Sequence, residues 1–537
     1  MDQIRLTQEE IDALLQRVKA NVLQTGDYEI IKSMTEAIMA LGQALDNKAA
    51  SIKRLLAMLF GPKTEKKDNI LKQNEPEQTD EDSKETEPET KDENSPKAKP
   101  VKKKKGHGKI PASDYTGADQ EFISHEKYKH KDPCPLCLTG KLYPMKKPGI
   151  AIYLKGQPPI DATIYNLEKL RCNLCGEVFT AAAPKGITGK HYDETARAMM
   201  AILKYGYGFP WYRLEKLQES LGIPLPASIQ WEKIETQADL IYPAFDELKR
   251  QAAQGEVFHN DDTTMKILDL IQENKTRDKN ERTGIFTSGI ISLLEEGKRI
   301  AIFSTGRNHA GENIASIYEM RDVEKDPPIQ MCDALSRNIP SEFKIILCHC
   351  NTHARRGFVD IIASFPDECR HVIEALAEVY HVDAQAKEQN MTADERLAFH
   401  QIHSGSQMNA LRSWLDTQFQ DKLVEPNSGL GNAITYMIKH WHELTQFLRV
   451  LGAPLDNNIC EQSLKRCILH RKNSMFYKTE HGAYIGDMFM SLIHTCNLMK
   501  VNALNYLIAL QKHSAQVFKK PSSWMPWNYE AAMGMAP

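Results

Sequence analysis

Three acidic positions, far apart in a chain of 537 residues, have the residue types and settings for metal-assisted phosphate chemistry. The first lies in Glu256-Val-Phe-His-Asn-Asp-Asp-Thr263. Strand alternation there puts Val257, His259 and Asp261 on one face and Phe258, Asn260 and Asp262 on the other. Aspartate is a poor strand former and adjacent carboxylates repel, so two acids at a strand end carry a cost that a divalent cation relieves. The second position is Asp333, which ends the apolar run Ile329-Gln-Met-Cys332. The third is Glu461 in Asp456-Asn-Asn-Ile-Cys-Glu461, where an Asp/Asn cluster can cap a helix whose second turn presents the glutamate. Hard oxygen ligands from three separate elements suit Mg2+ (or Mn2+) when the ion also meets a phosphate. Two such ions activate an attacking hydroxyl and stabilise the leaving oxygen of an in-line displacement. Asp261, Asp333 and Glu461 are therefore the candidate catalytic and magnesium-binding residues.

Two basic clusters accompany the acids. His353-Ala-Arg-Arg356 follows a strand and opens a helix, while Lys465-Arg466 and Arg471-Lys-Asn473 follow Glu461. Guanidinium forks and a helix start suit backbone phosphates, which makes Arg355, Arg356, Lys465, Arg466, Arg471 and Lys472 candidate DNA-binding residues. A second metal is expected elsewhere. Cys134-Pro-Leu-Cys137 and Cys172-Asn-Leu-Cys175 form two Cys-x-x-Cys knuckles separated by a strand-like spacer, the pattern of a structural zinc ribbon with all four corners filled. Cys348-His-Cys-Asn-Thr-His353 is spelled like a metal motif, but a Cys-x-Cys in a buried strand reads as core.

The elements that must position these groups divide the chain into segments. In residues 1–60, Ile31, Met34, Ile38, Leu41, Leu45, Ile52, Leu55 and Leu59 recur at steps of three and four, with Lys48 in one polar heptad slot. That pattern favours a coiled coil and hence a homo-oligomer, although an amphipathic helix packed on its own domain has the same period. Residues 61–108 offer almost nothing to bury and read as a disordered charged linker. The zinc ribbon occupies 109–185. Residues 186–254 return to helix, and Tyr212-Arg-Leu-Glu-Lys-Leu217, Leu221-Gly-Ile223 and Pro226-Ala-Ser-Ile-Gln-Trp231 trace a helix-turn-helix outline that an ordinary helical bundle would also give. From 255 to 498 short strands alternate with helices. Val257–Asp261, Gly284–Leu293 and Arg299–Ser304 suit an antiparallel meander, a helix follows at His309–Met320, and further strands end at Asp333 and His349. Residues 352–448 are too long for one crossover and read as a helical insertion, and residues 499–537 form a C-terminal element.

Charge does not oppose a DNA partner. The net charge is −3, with 68 basic against 71 acidic residues. The stretch Lys66–Ser95 alone holds 5 Lys against 11 acids, and without it the chain is net positive. Local basic patches such as Lys97–Lys105 and Lys465–Lys478 make the footprint of a nucleic-acid binder. Eleven cysteines in so long a chain do not suggest a disulfide scaffold. No apolar run is long enough to span a bilayer and no signal segment opens the chain, so a cytoplasmic, nucleoid-associated protein without a membrane partner is expected.

Taken together, the blocks resemble the DDE transposase of the bacterial insertion-sequence family numbered sixty-six. The resemblance runs from the heptad helix and Met58-Leu-Phe-Gly-Pro-Lys-Thr-Glu-Lys66 to Trp524-Met-Pro-Trp-Asn528. It is most specific at Pro454-Leu-Asp-Asn-Asn-Ile-Cys-Glu461 running on to Arg471-Lys-Asn473, and includes Pro210-Trp-Tyr-Arg213, His259-Asn-Asp-Asp-Thr263 and His353-Ala-Arg-Arg356. It implies a multidomain α+β protein: coiled coil, zinc ribbon, helix-turn-helix region and a ribonuclease-H-like α/β catalytic domain broken by a helical insertion. It implies a transposase that cleaves double-stranded DNA at the terminal inverted repeats of its element and transfers the strand to a target, often with small accessory proteins of the same element. Asp261 matches the first catalytic Asp and Glu461 the last acid. This chain departs from the family where Asp261-Asp262-Thr263 replaces Asp-Glu-Thr, and where Ala334-Leu-Ser-Arg337 replaces the Gly-Tyr that usually follows the second Asp. A catalytically silent DNA-binding protein derived from such a transposase is the alternative.

Overall fold

The computed structural model describes residues 191–278 and 280–534, together with 127, 129–137, 139–143, 159–171 and 178–184 and the isolated positions Arg17 and Asp27. The expected coiled coil (1–60) and charged linker (61–108) lie outside the described residues, apart from those two positions. The chain divides into two units, Gln78–Asp161 and the rest. In the smaller unit the described residues form a tight knuckle. Cys134 N–H donates to the Gly140 carbonyl at 2.7 Å, Lys131 N–H to Leu142 at 2.8 Å, and Leu142 N–H to Asp132 at 2.9 Å.

In the larger unit two short strands, β1 (Lys169–Arg171) and β2 (Val178–Thr180), pair antiparallel. Helices follow: α1 (Glu194–Ala201), capped by Asp193, a π-helical turn over Ile202–Gly206, α2 (Trp211–Ser220), and α3 (Ala227–Ala252). The turn between α2 and α3 contains Gly222 at φ +77°, a left-handed conformation open to glycine at little cost. The two-helix outline seen in the sequence is thus present. However, α3 runs for 26 residues and buries Ile234, Ala238, Ile241, Phe245 and Leu248 along one stripe.

Five strands then build the central sheet: β3 (Val257–Thr264), β4 (Phe286–Leu293), β5 (Arg299–Gly306), β6 (Ile329–Cys332) and β7 (Ile346–His349). A short helix, α4 (Leu268–Glu273), lies between β3 and β4, and α5 (Ala310–Tyr318) between β5 and β6. The strand order is β5-β4-β3-β6-β7. β3, β4 and β5 form the expected antiparallel meander, and β6 and β7 run parallel to β3. Alternation along β3 sorts its side chains as the sequence demands. Phe258 meets Tyr318 of α5 with ring centroids 4.9 Å apart, while His259 points the other way and pairs through Nδ1 with Asn457 at 3.1 Å.

After β7 comes a helical insertion: α6 (Asn351–Val359), α7 (Pro366–Glu388), α8 (Ala393–His403), α9 (Gly405–Gln420), α10 (Gly429–Lys439) and α11 (Trp441–Leu444). It has its own core, in which Phe358, Leu376, Leu411, Leu415, Ile434 and Phe447 are buried together. The chain then returns to the sheet with α12 (Asn458–Ser474) and α13 (Glu480–Leu498). The C-terminal helices α14 (Ala503–Lys512), α15 (Ser514–Lys519) and α16 (Tyr529–Gly534) follow. They fold back on the 194–252 helices, and Gln511 donates to the Glu194 carbonyl at 3.2 Å.

The outer edge of β5 is closed by α13. An edge strand presents backbone N–H groups with no strand to accept them. Here Thr305, Phe303 and Ala301 donate to Asp487 (2.6 Å), Ser491 (2.9 Å) and Thr495 (3.1 Å), acceptors spaced four apart on one face of the helix. Burial pushes the Asp487 carboxyl up to about 7, opposed by its hydrogen bonds from Thr305.

Candidate active site

Asp261 lies on β3, directly opposite Gly289 of β4. Asp333 follows the last residue of β6, and Glu461 stands in the first turn of α12. The helix begins at Asn458, so the glutamate comes one turn earlier than the sequence suggested. Two features bring α12 down onto the sheet. Gly289 has no side chain, and a Cβ there would sit 3.0 Å from Leu464 Cδ2 and 3.1 Å from its Cγ. Asn457 Oδ1 meanwhile accepts from His259 Nδ1–H at 3.1 Å, and its Nδ2 donates to the Asn260 carbonyl at 3.0 Å, tying the helix start to β3.

These elements bring the three acids into one electrostatic neighbourhood. Burial raises Asp261 to about 7, against a hydrogen bond from the Asp262 N–H, and the negative charges of Asp333, Asp262 and Glu461 push in the same direction as burial. Asn338 bridges two of the acids, with Nδ2 2.6 Å from Asp333 Oδ1 and 3.4 Å from Asp261 Oδ1. Glu461 Oε1 is buried with no hydrogen-bond partner, and His353 Nδ1 lies 3.7 Å from it. Among the described residues no lysine or arginine pairs with Asp261 or Asp333. The buried Asp261, the like charges around it and the unpartnered Glu461 oxygen suit a divalent cation of the hard, oxygen-seeking class, which would have to draw the carboxylates together, since the three do not offer ligand atoms within 4.8 Å of one another.

The neighbouring Asp262 belongs to a different arrangement. It faces α5, where its side chain is almost fully buried, His309 Nδ1 lies 2.8 Å from Oδ2 and Arg337 lies 3.6 Å from Oδ1. Arg337 stands four residues beyond Asp333, so the turn after β6 reaches back to Asp262 on β3.

The basic residues divide. Lys465 and Lys472 are exposed on α12. Arg466 is half-buried, and burial lowers its pKa. Arg471 is occupied within the fold, donating to Thr263 Oγ1 at 3.2 Å, to Thr264 Oγ1 at 2.8 Å and to the Thr264 carbonyl, which anchors the end of β3 to α12. Arg355 and Arg356 lie half-buried on α6. Cys348 and Cys350 are buried with Val257, Ile329, Met331 and Ala453, as a core reading requires. Cys350 accepts the Asn457 N–H at 3.2 Å and also lies in a group with His353 and Glu461 whose ligand-type atoms are within 4.8 Å of one another.

At the cysteine knuckle, the Gly140 N–H donates to Cys137 Sγ at 3.3 Å. That bond, with others from Thr139, lowers the Cys137 thiol to about 7, which favours the thiolate a metal needs. Cys172 and Cys175 lie outside the described residues, between strands β1 and β2.

Asn338 is the site residue that sequence reasoning missed. It sits in a 3-10 turn over Ser336–Asn338, where no periodicity marks a side chain as inward-facing. The only available signal was an amide five residues beyond Asp333.

The sheet and its acids lie within the part of the chain that known proteins share. A profile of the Transposase IS66 family matches residues 189–485, from just before α1 into α13, which places the chain among the DNA transposases. The chain belongs to the IS66 transposase family. Among curated proteins it is similar to two uncharacterized proteins of Sinorhizobium fredii. With y4jD it is 25% identical over 372 residues, covering 67% of this chain and 71% of the relative. With y4hP it is 24% identical over 389 residues, covering 68% and 67%. Among the described residues no helix is long and apolar enough to cross a membrane.

Proposed function

We propose that the protein is an active transposase that performs divalent-metal-dependent DNA cleavage and strand transfer at the terminal inverted repeats of an insertion sequence. Asp261, Asp333 and Glu461 are the catalytic residues. The observation that carries this reading is geometric: Asn338 links Asp261 to Asp333, and Glu461 stands in the first turn of α12, which packs on β3 and β4. The strand order and directions also support a ribonuclease-H-like domain interrupted by the helical insertion.

In this reading the three carboxylates hold Mg2+ or Mn2+, which supplies Lewis acidity and an activated hydroxyl at the scissile phosphate. Asp261 presents its oxygens from β3, where it is paired with Gly289 of β4, two residues beyond the ladder to β6. Asn338 fixes the rotamers of Asp261 and Asp333, so little reorganisation is needed when the DNA arrives. Lys465 and Lys472 meet the DNA backbone, with Arg466, Arg355 and Arg356 beside them. Arg471 contributes chiefly by holding Thr263 and Thr264. Zinc at the Cys134/Cys137 knuckle, with the further thiolates Cys172 and Cys175 that the sequence supplies, has a structural role.

The test is nicking and joining of a labelled element-end duplex in Mg2+ or Mn2+. Asp261→Asn and Glu461→Gln should each remove activity while leaving binding of the same duplex intact. Retention of cleavage in both variants would refute the roles assigned. Binding without any cleavage by the unaltered protein would favour the silent DNA-binding alternative.

A further inference from the structure

A second cluster of ligand-type side chains lies where the insertion meets the sheet, and it takes no part in the chemistry above. His349 is the last residue of β7, paired in register with Cys332, the residue before Asp333. His440 ends α10, and Glu443 lies in α11 one turn further on. One ligand atom from each of His349, His440 and Glu443 falls within 4.8 Å of the others. The two imidazole rings are 5.0 Å apart and nearly perpendicular, at 86°.

His349 is 3% exposed, and its Nδ1 has no hydrogen-bond partner. A buried polar atom without a partner is rare and calls for an occupant. Burial, joined by the proximity of His440, keeps the His349 imidazole neutral near pH 7, the form that donates a lone pair.

We propose that His349, His440 and Glu443 form a site for a transition-metal ion of the zinc class. Two imidazoles and one carboxylate make a nitrogen-rich set that Zn2+ accepts and Mg2+ does not favour, so the site is chemically distinct from the all-carboxylate cluster at Asp261. Tetrahedral bonds of roughly 2.1 Å place ligand atoms about 3.4 Å apart, so the side chains need to draw in by at most about 1.4 Å, within the reach of small rotations. The net charge is favourable, since one carboxylate offsets part of the ion's charge, although Lys439 adjoins His440 and opposes it. The ion fastens the α10–α11 corner of the insertion to the end of β7, on the flank of the strand that carries Asp333.

The test uses the full-length protein, stripped with chelator and reloaded with Zn2+, with metal counted per chain by elemental analysis. His440→Ala and Glu443→Gln should each hold one equivalent fewer than the unaltered protein, with unchanged far-ultraviolet dichroism. Asp261→Asn should hold the same number as the unaltered protein. In a Cys134→Ser/Cys137→Ser background, Co2+ at this site should give weak visible bands without thiolate charge-transfer absorption, and His440→Ala should remove them. An equal zinc count in the unaltered protein, His440→Ala and Glu443→Gln would overturn the proposal. So would a count that falls in Asp261→Asn, or cobalt bands carrying thiolate character. The near-isosteric glutamine variant keeps the test decisive should the alanine variant fold poorly.

Discussion

Protonation of Asp261 should control metal binding at the three-acid cluster. Its carboxyl is held at about 7, mainly by burial, with the charges of Asp333 and Glu461 adding to it. A cation binds the ionised form, so the proton must leave first. The sign follows directly. Above pH 7 the site is ready, and as pH falls the apparent dissociation constant for Mg2+ rises by the factor 1 + 10^(7−pH), about tenfold at pH 6 and about a hundredfold at pH 5. Tenfold corresponds to about 1.4 kcal/mol. Titration calorimetry in buffers of different ionisation enthalpy should show close to one proton released per site at pH 6 and few at pH 8. Asp261→Asn should abolish this linkage together with most of the affinity. Asp487, also near 7, accepts from Thr305 on β5, so Asp487→Asn should leave the linkage intact. An Mg2+ affinity unchanged between pH 6 and 8 in the unaltered protein would refute the argument.

Asn338→Ala removes the amide that bridges Asp261 and Asp333. Mg2+ affinity should fall several-fold and the pH midpoint of binding should move upward, both readable in the same titration. Gly289→Ala places a methyl about 3 Å from Leu464, which must shift along with α12. A loss of roughly 1–3 kcal/mol in denaturant unfolding and a slower cleavage rate are expected, and Leu464→Ala in the same chain should restore part of the rate. Asp487→Ala strands the Thr305 N–H, while the Thr305 hydroxyl keeps Thr287 Oγ1 at 2.8 Å, for a loss of about 1–3 kcal/mol. Because the folded-state pKa of Asp487 is raised, its ionisation opposes folding progressively from about pH 4 to 7. Asp487→Asn should therefore be at least as stable as the unaltered protein at pH 8, by denaturant midpoint.

Much of the sheet was legible because strands impose a period of two. The run from Val257 to Asp262 could be sorted into faces by sequence alone, and His259 and Phe258 do point in opposite directions. Asp333 and Glu461 were expected at element ends, and they stand there, Asp333 just after β6 and Glu461 in the first turn of α12. Asn338 could not, since a three-residue turn has no repeat to show which side chain faces inward. The role of Gly289 was hidden for a related reason. A glycine that admits a helix is recognisable only once Leu464, distant in sequence, is known to stand above it. Arg471 read as a DNA contact because a guanidinium beside an acidic site suits phosphate equally well, and only the fold reveals Thr263 and Thr264 as its partners. Likewise, His349, His440 and Glu443 are neighbours only because the insertion folds back on the end of β7.

The seal along β5 limits how protomers can meet. One economical way for copies of a protein to join is to continue a sheet from one chain into the next. With Asp487, Ser491 and Thr495 already filling the hydrogen-bonding positions of that margin, no visiting strand can dock there without first prying off α13. Any joining of copies by strand addition would have to use the opposite margin of the sheet, at β7, and leave the β5 side untouched.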